Sequence, residues 1–165
     1  MTAGDGALAD ALSEHGADIL RYLQRREPDQ AADLLGETML VAWRRRDDAP
    51  SDRAELRPWL FGIARMSLRG YGRDTRRGLR LVEKVSAHAP IPSEPDDALA
   101  MDVRRAVATL PDNQRELVEL VHWESMTLAD AATVVGVNAS TARGRYARAR
   151  HALEARLASA IGGVP

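Results

Sequence analysis

The 165-residue chain contains no cysteine. That excludes a disulfide framework, a thiolate metal site and a cysteine nucleophile, and it fits a reducing compartment. No apolar run approaches the roughly 20 residues needed to span a bilayer. The opening MTAGDGALAD has no basic stretch of the kind that begins a secretory signal. These absences read as a soluble, cytoplasmic protein with no membrane partner. Catalytic grammar is missing too. His15, His88, His122 and His151 lie in separate segments without H-x-x-x-H spacing, no glycine loop is built to cradle phosphate, and no nucleophile motif adjoins the acidic residues. The expectation is a protein with no catalytic residue, no metal and no cofactor.

Net positive charge is lacking as well. The formal total is −1, which taken alone argues against nucleic acid as a ligand. The distribution argues the other way. Residues 65–84 carry Arg65, Arg69, Arg73, Arg76, Arg77, Arg80 and Lys84 against Asp74 and Glu83, a local net of +5. Residues 137–157 carry five arginines against Glu154, a net of +4. The first twenty residues and the stretch 85–102 are acidic only. Two basic islands in an acidic chain predict two separate electrostatic footprints.

Helical periodicity runs through the first half. Residues 7–26 place Leu8, Leu12, Ile19, Leu20 and Leu23 at helical spacing; Gly16 weakens the middle, and Pro28 closes the element. Residues 30–46 gather Ala31, Leu34, Leu35, Thr38, Val41 and Ala42 on one side. Met39, Leu40 and Trp43 then form a second apolar side near Asp33 and Glu37. Such a helix either sits in the centre of its domain or lends the second face to a partner. Residues 47–56 read as a polar loop, and Pro58 as the first turn of the next helix. Over 58–73, Leu60, Ala64, Leu68 and Tyr71 point to the core. Arg65, Arg69 and Arg73 form a stripe that is either merely solvated or placed for a phosphate backbone. Gly70, Gly72 and Gly78 loosen its end. The prolines at 90, 92 and 95 mark a linker.

In the second half, residues 96–109 make a helix with Leu99, Val103, Ala106 and Val107 inward, broken at Leu110-Pro111. NQRELVELVHW follows with Leu117, Leu120 and Val121 inward. Thr127 caps a short helix with Asp130 as a capping-box-like partner. Gly136 ends that helix, and the next begins at Ser140. Helix, glycine turn, helix, with Ala132 at the close approach, is helix-turn-helix spacing. Winding residues 140–157 at about 100° per residue puts Ala142, Tyr146, Ala149, Leu153 and Leu157 inside. Ser140, Thr141, Gly144, Ala147 and Arg148 lie outside, with Arg143, Arg145 and Arg150 on the borders. Hydroxyls and guanidinium forks on a strip with a small centre suit the major groove; a structural helical hairpin is the bland alternative.

These motifs resemble bacterial sigma factors of the extracytoplasmic function (ECF) class, over about residues 7–157. ADLLGETMLVAWRRR, RPWLFGIAR and the arginine run to Arg77 are similar to their second conserved region. Leu110, Pro111, Gln114, Arg115 and Glu116 match an ALxxLPxxQRExxxL pattern, and TLADAATVVGVNASTARGRYARAR is similar to SYxEIAxxLGxxxGTVxSRxxRAR. The resemblance implies an all-α protein of two small helical domains, 1–77 and 98–165, joined by a flexible linker over 78–97, the second domain a helix-turn-helix. It implies binding to core RNA polymerase (clamp helices and flap) and to promoter DNA, with control by an anti-sigma factor. Asp33, Leu34, Glu37 and Thr38 would meet the polymerase. Trp43, Arg57, Trp59, Arg65, Arg69 and Arg73 would face the minus-ten element. Ser140, Thr141, Arg143, Arg145, Arg148 and Arg150 would face the minus-thirty-five element. The chain departs from the pattern at Gly36, Met66, Ala142 and Gly144. A helix-turn-helix regulator that never joins polymerase stays open as the alternative.

Overall fold

The computed structural model describes residues 3–79 and 98–162. These form seven α-helices in two compact units, one built from α1–α3 and the other from α4–α7. The expected linker lies outside the described residues except at 78 and 79, which close a helix.

The first unit comprises α1 (Ala3–Gln24), α2 (Ala31–Arg44), a single 3-10 turn over Arg46–Asp48, and α3 (Arg53–Leu79). Each of the three helices packs on the other two. Rows spaced three and four residues apart supply the core: Leu8, Ile19 and Leu23 from α1, Ala31, Leu34 and Ala42 from α2, Leu56, Leu60 and Ala64 from α3. Tyr22 and Phe61 meet edge to face, ring centroids 5.3 Å apart. Thr38 is wholly buried, and its hydroxyl donates to the Leu34 carbonyl at 2.7 Å, so no polar group is stranded.

Several local expectations need correction. Gly16 does not break α1. It is buried, and a Cβ placed on it would stand 3.3 Å from the Met39 methyl, so the glycine marks where α2 comes close to α1. Met39 is thereby half-buried and leaves the second apolar side to Leu40, 57% exposed, and Trp43, 43% exposed. The third helix starts at Arg53, not Pro58. Asp52 caps it, its carboxylate accepting from the Ala54 N–H at 2.9 Å, and Pro58 falls inside the helix. The capping acid outweighs the preference of proline for a first turn. Nor does the helix stop at its glycines. An exposed helical glycine costs about 1 kcal/mol, which weakens but does not forbid the turn, and α3 runs on to Leu79.

The second unit comprises α4 (Ala98–Ala108), α5 (Asp112–His122), α6 (Leu128–Val135) and α7 (Ala139–Ile161). Val107, Leu110, Val118 and Ala149 form a buried cluster against which Val103, Trp123, Tyr146 and Leu153 pack. Leu117, Leu120, Ala131 and Ala142 of the same unit are also buried. Leu99, expected inward, is 54% exposed. Periodicity gives the face of α4 but not how far along its length that face is covered; the inward row begins a turn later, at Val103. Among the described residues, no helix is long and apolar enough to cross a membrane.

Candidate nucleic-acid and partner surfaces

Local chemistry sets the angle between α6 and α7. The Thr127 hydroxyl accepts from the Asp130 N–H at 3.1 Å and starts α6. Gly136 ends it at φ 73°, a left-handed conformation that glycine adopts without penalty. The Gly136 N–H reaches the Thr133 carbonyl at 3.2 Å and the Val137 N–H reaches the Ala132 carbonyl at 3.0 Å, a Schellman closure. Two residues after the glycine, the Asn138 side chain accepts from the Thr141 N–H at 2.8 Å and opens α7. The helix thus begins at Ala139, one residue before the expected start, because Asn138 provides the cap.

Ala142 and Ala149 are fully buried on the inner side of α7, where their small side chains let its backbone sit close to the unit. Tyr146 adds a polar tie. Its hydroxyl lies 2.7 Å from His122 Nε2 at the end of α5, and the two rings stack with centroids 6.0 Å apart. The opposite side carries Ser140, Arg143, Gly144, Ala147, Arg148 and Arg150, all exposed, with Thr141 and Arg145 half-buried. Arg148 Nε donates to the Gly144 carbonyl at 3.1 Å, and Arg150 pairs with Glu154 at 3.3 Å, both within the helix. The six residues expected to meet the minus-thirty-five element therefore lie along one helix, turned toward solvent or bordering it. The His122–Tyr146 tie was not anticipated; a histidine in the last turn of one helix and a tyrosine on the inner row of another gave no signal before the fold brought them together.

The surface of the first unit is differently made. Along α3, Arg69 and Arg73 are exposed and Arg65 is half-buried. Met66, 61% exposed, and half-buried Trp59 border this stripe, so cationic and apolar groups alternate there. Arg57 is less available than expected. Its guanidinium lies 3.6 Å from Asp18 of α1 and 5.0 Å above the Phe61 ring, a cation–π contact that makes it a tie between helices. Trp43, at the end of α2, is exposed.

Of the four residues expected to meet the polymerase, Asp33 and Glu37 are exposed, whereas Leu34 (3% exposed) and Thr38 (0%) are buried. The last two belong to the row that runs Ala31, Leu34, Thr38, Ala42, and a side chain on that row cannot serve the core and an outer partner at once. The outer face of α2 is formed by Asp33, Gly36, Glu37, Leu40 and Arg44 instead, all exposed.

Two family descriptions match the chain, Sigma-70 region 2 over residues 12–78 and Sigma-70, region 4 over residues 100–153. The chain is 31% identical over 164 residues to the ECF RNA polymerase sigma factor SigF of Caulobacter vibrioides, covering 94% of this chain and 88% of that one. It is 31% identical over 162 residues to the ECF RNA polymerase sigma factor SigL of Mycobacterium tuberculosis, covering 92% and 89%. In fold it is similar to the sigma factor RpoE of Bartonella quintana, solved with the anti-sigma factor NepR, at a TM-score of 0.70 and 24% identity over 90% of this chain and 95% of that one. With both matched regions in order and identity sustained along nearly the full length of curated relatives, the chain belongs to the family of ECF RNA polymerase sigma factors.

Proposed function

We propose that this sigma factor joins core RNA polymerase through the outer face of α2 and directs it to promoters that its two units read separately, in the cytoplasm. The carrying observation is the exposed strip of α7, hydroxyls and arginines on a helix whose inner side is sealed by Ala142 and Ala149. A helix of about 10 Å diameter enters the major groove, where guanidinium forks and hydroxyls meet base edges and phosphates. Ser140, Thr141, Arg143, Arg145, Arg148 and Arg150 would make the minus-thirty-five contacts.

On the first unit, Arg65, Arg69 and Arg73 would follow the phosphates of the minus-ten element. Trp43, Trp59 and Met66 offer apolar surface on which an unstacked base could rest; opening the stack costs a few kcal/mol, and stacking on aromatic groups returns about 1–3 kcal/mol per base. Arg57 would act by bracing α3 against α1. On α2, Leu40 supplies the apolar centre of a polymerase-binding face rimmed by Asp33, Glu37 and Arg44. RpoE is held by an anti-sigma factor in its structure, and an anti-sigma factor here would control activity by covering these surfaces.

Run-off transcription tests the reading. The purified full chain, added to core RNA polymerase and a template carrying candidate upstream sequences, should yield discrete transcripts absent with core enzyme alone. DNA binding without any transcript would assign the chain to regulators that act apart from polymerase.

A further inference from the structure

The His122–Tyr146 tie takes no part in the contacts assigned above, yet it joins α7 to α5. Ala142 and Ala149 let α7 sit close to its unit, but a methyl group offers little to resist rotation of a helix about its own axis. Over the first three turns, the large side chain packed on the buried cluster of Val107, Leu110, Val118 and Ala149 is Tyr146; Leu153 joins that cluster two turns farther on. At about 100° per residue, Tyr146 stands about 60° from Arg143 and about 40° from Arg150, where the inner row meets the outer strip. Its hydroxyl lies 2.7 Å from His122 Nε2, and the rings stack with planes 18° from parallel. Either imidazole tautomer satisfies the bond, because a hydroxyl donates or accepts. His122 itself is firmly rooted as the last residue of α5. Beyond it the Trp123 and Glu124 N–H groups donate to the Glu119 carbonyl at 2.8 and 3.3 Å, and the Met126 N–H donates to the Leu120 carbonyl at 3.1 Å. Ser125 takes a left-handed φ of 53° within this return, and Met126 is buried.

We propose that His122 is a positioning residue for promoter recognition: through the Tyr146 hydroxyl it fixes the rotation of α7 about its axis, and with it the aim of the outer strip. This rests on the reading of α7 as the promoter-reading helix. The lever is short but sufficient. A turn of about 10° carries a group at the helix surface, roughly 5–6 Å from the axis, through about 1 Å. Hydrogen bonds to base edges weaken steeply when length or angle departs from the optimum by that much. Attraction to phosphates falls only gradually with distance. Loss of the tie should therefore blunt sequence discrimination while sparing general affinity for DNA. The fold should be spared as well, because His122 is exposed and water can replace either partner of the bond.

The test uses the full chain joined to core RNA polymerase. The complex is titrated onto a template that supports run-off transcription and onto the same template with its upstream element scrambled; the ratio of the two affinities measures discrimination. Tyr146→Phe keeps the ring and loses the hydroxyl, whereas His122→Ala removes the imidazole. Each should lower the ratio by about 2- to 10-fold, the range of a single hydrogen bond. Affinity for the scrambled template, which rests on phosphates, should hold, and the thermal midpoint should stay within a few degrees. The double variant should fall no further than His122→Ala alone. His122→Gln, whose amide reaches about as far as Nε2 and can donate or accept, should restore most of the ratio. A ratio unchanged by Tyr146→Phe, or single losses that add in the double variant, would overturn the proposal. Equal losses on both templates with a lowered midpoint would overturn it too, by reducing the pair to packing. If the wild type does not tell the two templates apart, the promoter reading itself fails and this assignment with it; if wild type and variants discriminate equally, only the assignment fails.

Discussion

The arginines of the two units are employed differently. In the first unit they tie helices together: Arg46 lies 3.7 Å from Asp5, Arg53 lies 2.8 Å from Glu14 and Arg57 lies 3.6 Å from Asp18, while Arg21 pairs with Asp18 within α1. In the second unit the arginines of α7 bond only along their own helix, at Gly144 and Glu154, and Arg143 and Arg145 have no acidic partner among the described residues. The cores differ in parallel. The first is filled by large side chains such as Tyr22, Phe61, Leu60 and Ile19, whereas α7 is seated on alanines. The arginines that tie helices in the first unit are dispersed among acids; on α7, Arg143, Arg145 and Arg148 stand together without an acidic partner among the described residues, and Arg150 finds its acid on its own helix.

The contrast can be broken first at its base. Phe61→Ala removes a ring from the aromatic centre of the first unit and should cost about 3–5 kcal/mol of its stability. Denaturant unfolding followed by tryptophan fluorescence in a Trp123→Phe background, so that Trp43 and Trp59 of the first unit alone report, measures it. A loss under about 1 kcal/mol would mean that the first unit does not depend on this core.

Smaller effects should separate binding from folding. Arg143→Ala should weaken upstream promoter binding by about 1–3 kcal/mol if the side chain meets a base, while leaving unfolding within about 0.5 kcal/mol of wild type. Titration of promoter DNA at several salt concentrations distinguishes base contact from phosphate contact, since only the latter lowers affinity uniformly and reduces the salt slope by about one. Leu40→Glu should act reciprocally, reducing affinity for core polymerase by more than about 1 kcal/mol with stability unchanged, as expected for the apolar centre of an interface. Equal loss of DNA binding in both variants would erase the division of labour between the two surfaces.

The mildest test uses pH. Burial pushes the His15 imidazole below its ordinary value near 6.5, the nearby Glu14 and Asp18 opposing and Arg57 and Arg53 adding to the shift. The hydrogen bond from Arg53 likewise lowers the Glu14 carboxyl, with the charge of His15 contributing. Both folded values are depressed, so the unfolded chain takes up protons first on acidification. Stability should be constant above the ordinary histidine value, fall as pH drops through it toward the folded value, and fall again below the ordinary value of Glu14. Thermal melts of the first unit between about pH 7.5 and 5.5 should show the first decline, and His15→Gln should flatten it. A decline that persists in that variant would place the titration elsewhere.

Much of this was legible from residue order alone, and the exceptions have two causes, competing local signals and unseen neighbours. The helix-turn-helix could be read because Thr127, Gly136 and Asn138 carry their own backbone instructions, and caps act over three or four residues. The arginine strip of α7 was equally open, since a 3.6-residue period sorts its residues into two sides. The onset of α3 was misjudged because Asp52 and Pro58 both signal a start and only one can win. Leu34 and Thr38 were given two employments, core and partner, that one side chain cannot hold. Met39 and Leu99 went astray because periodicity sorts residues by angle and does not say which neighbouring helix arrives, or how far along. The fold class followed from angles; burial at particular residues required knowing the neighbours.

A single absent methyl group adjusts the first unit. At Gly16 the backbone of α1 admits the tip of Met39, a flexible methyl that a Cβ there would meet at 3.3 Å. An alanine there would ask that methyl to give by a few tenths of an ångström, which an unbranched thioether chain can do, whereas a bulkier residue would have to displace the Met39 side chain. Under the function proposed above, a change at position 16 would reach the outer face of α2 only through the Met39 side chain, next in sequence to Leu40, and would do so without altering one contact residue.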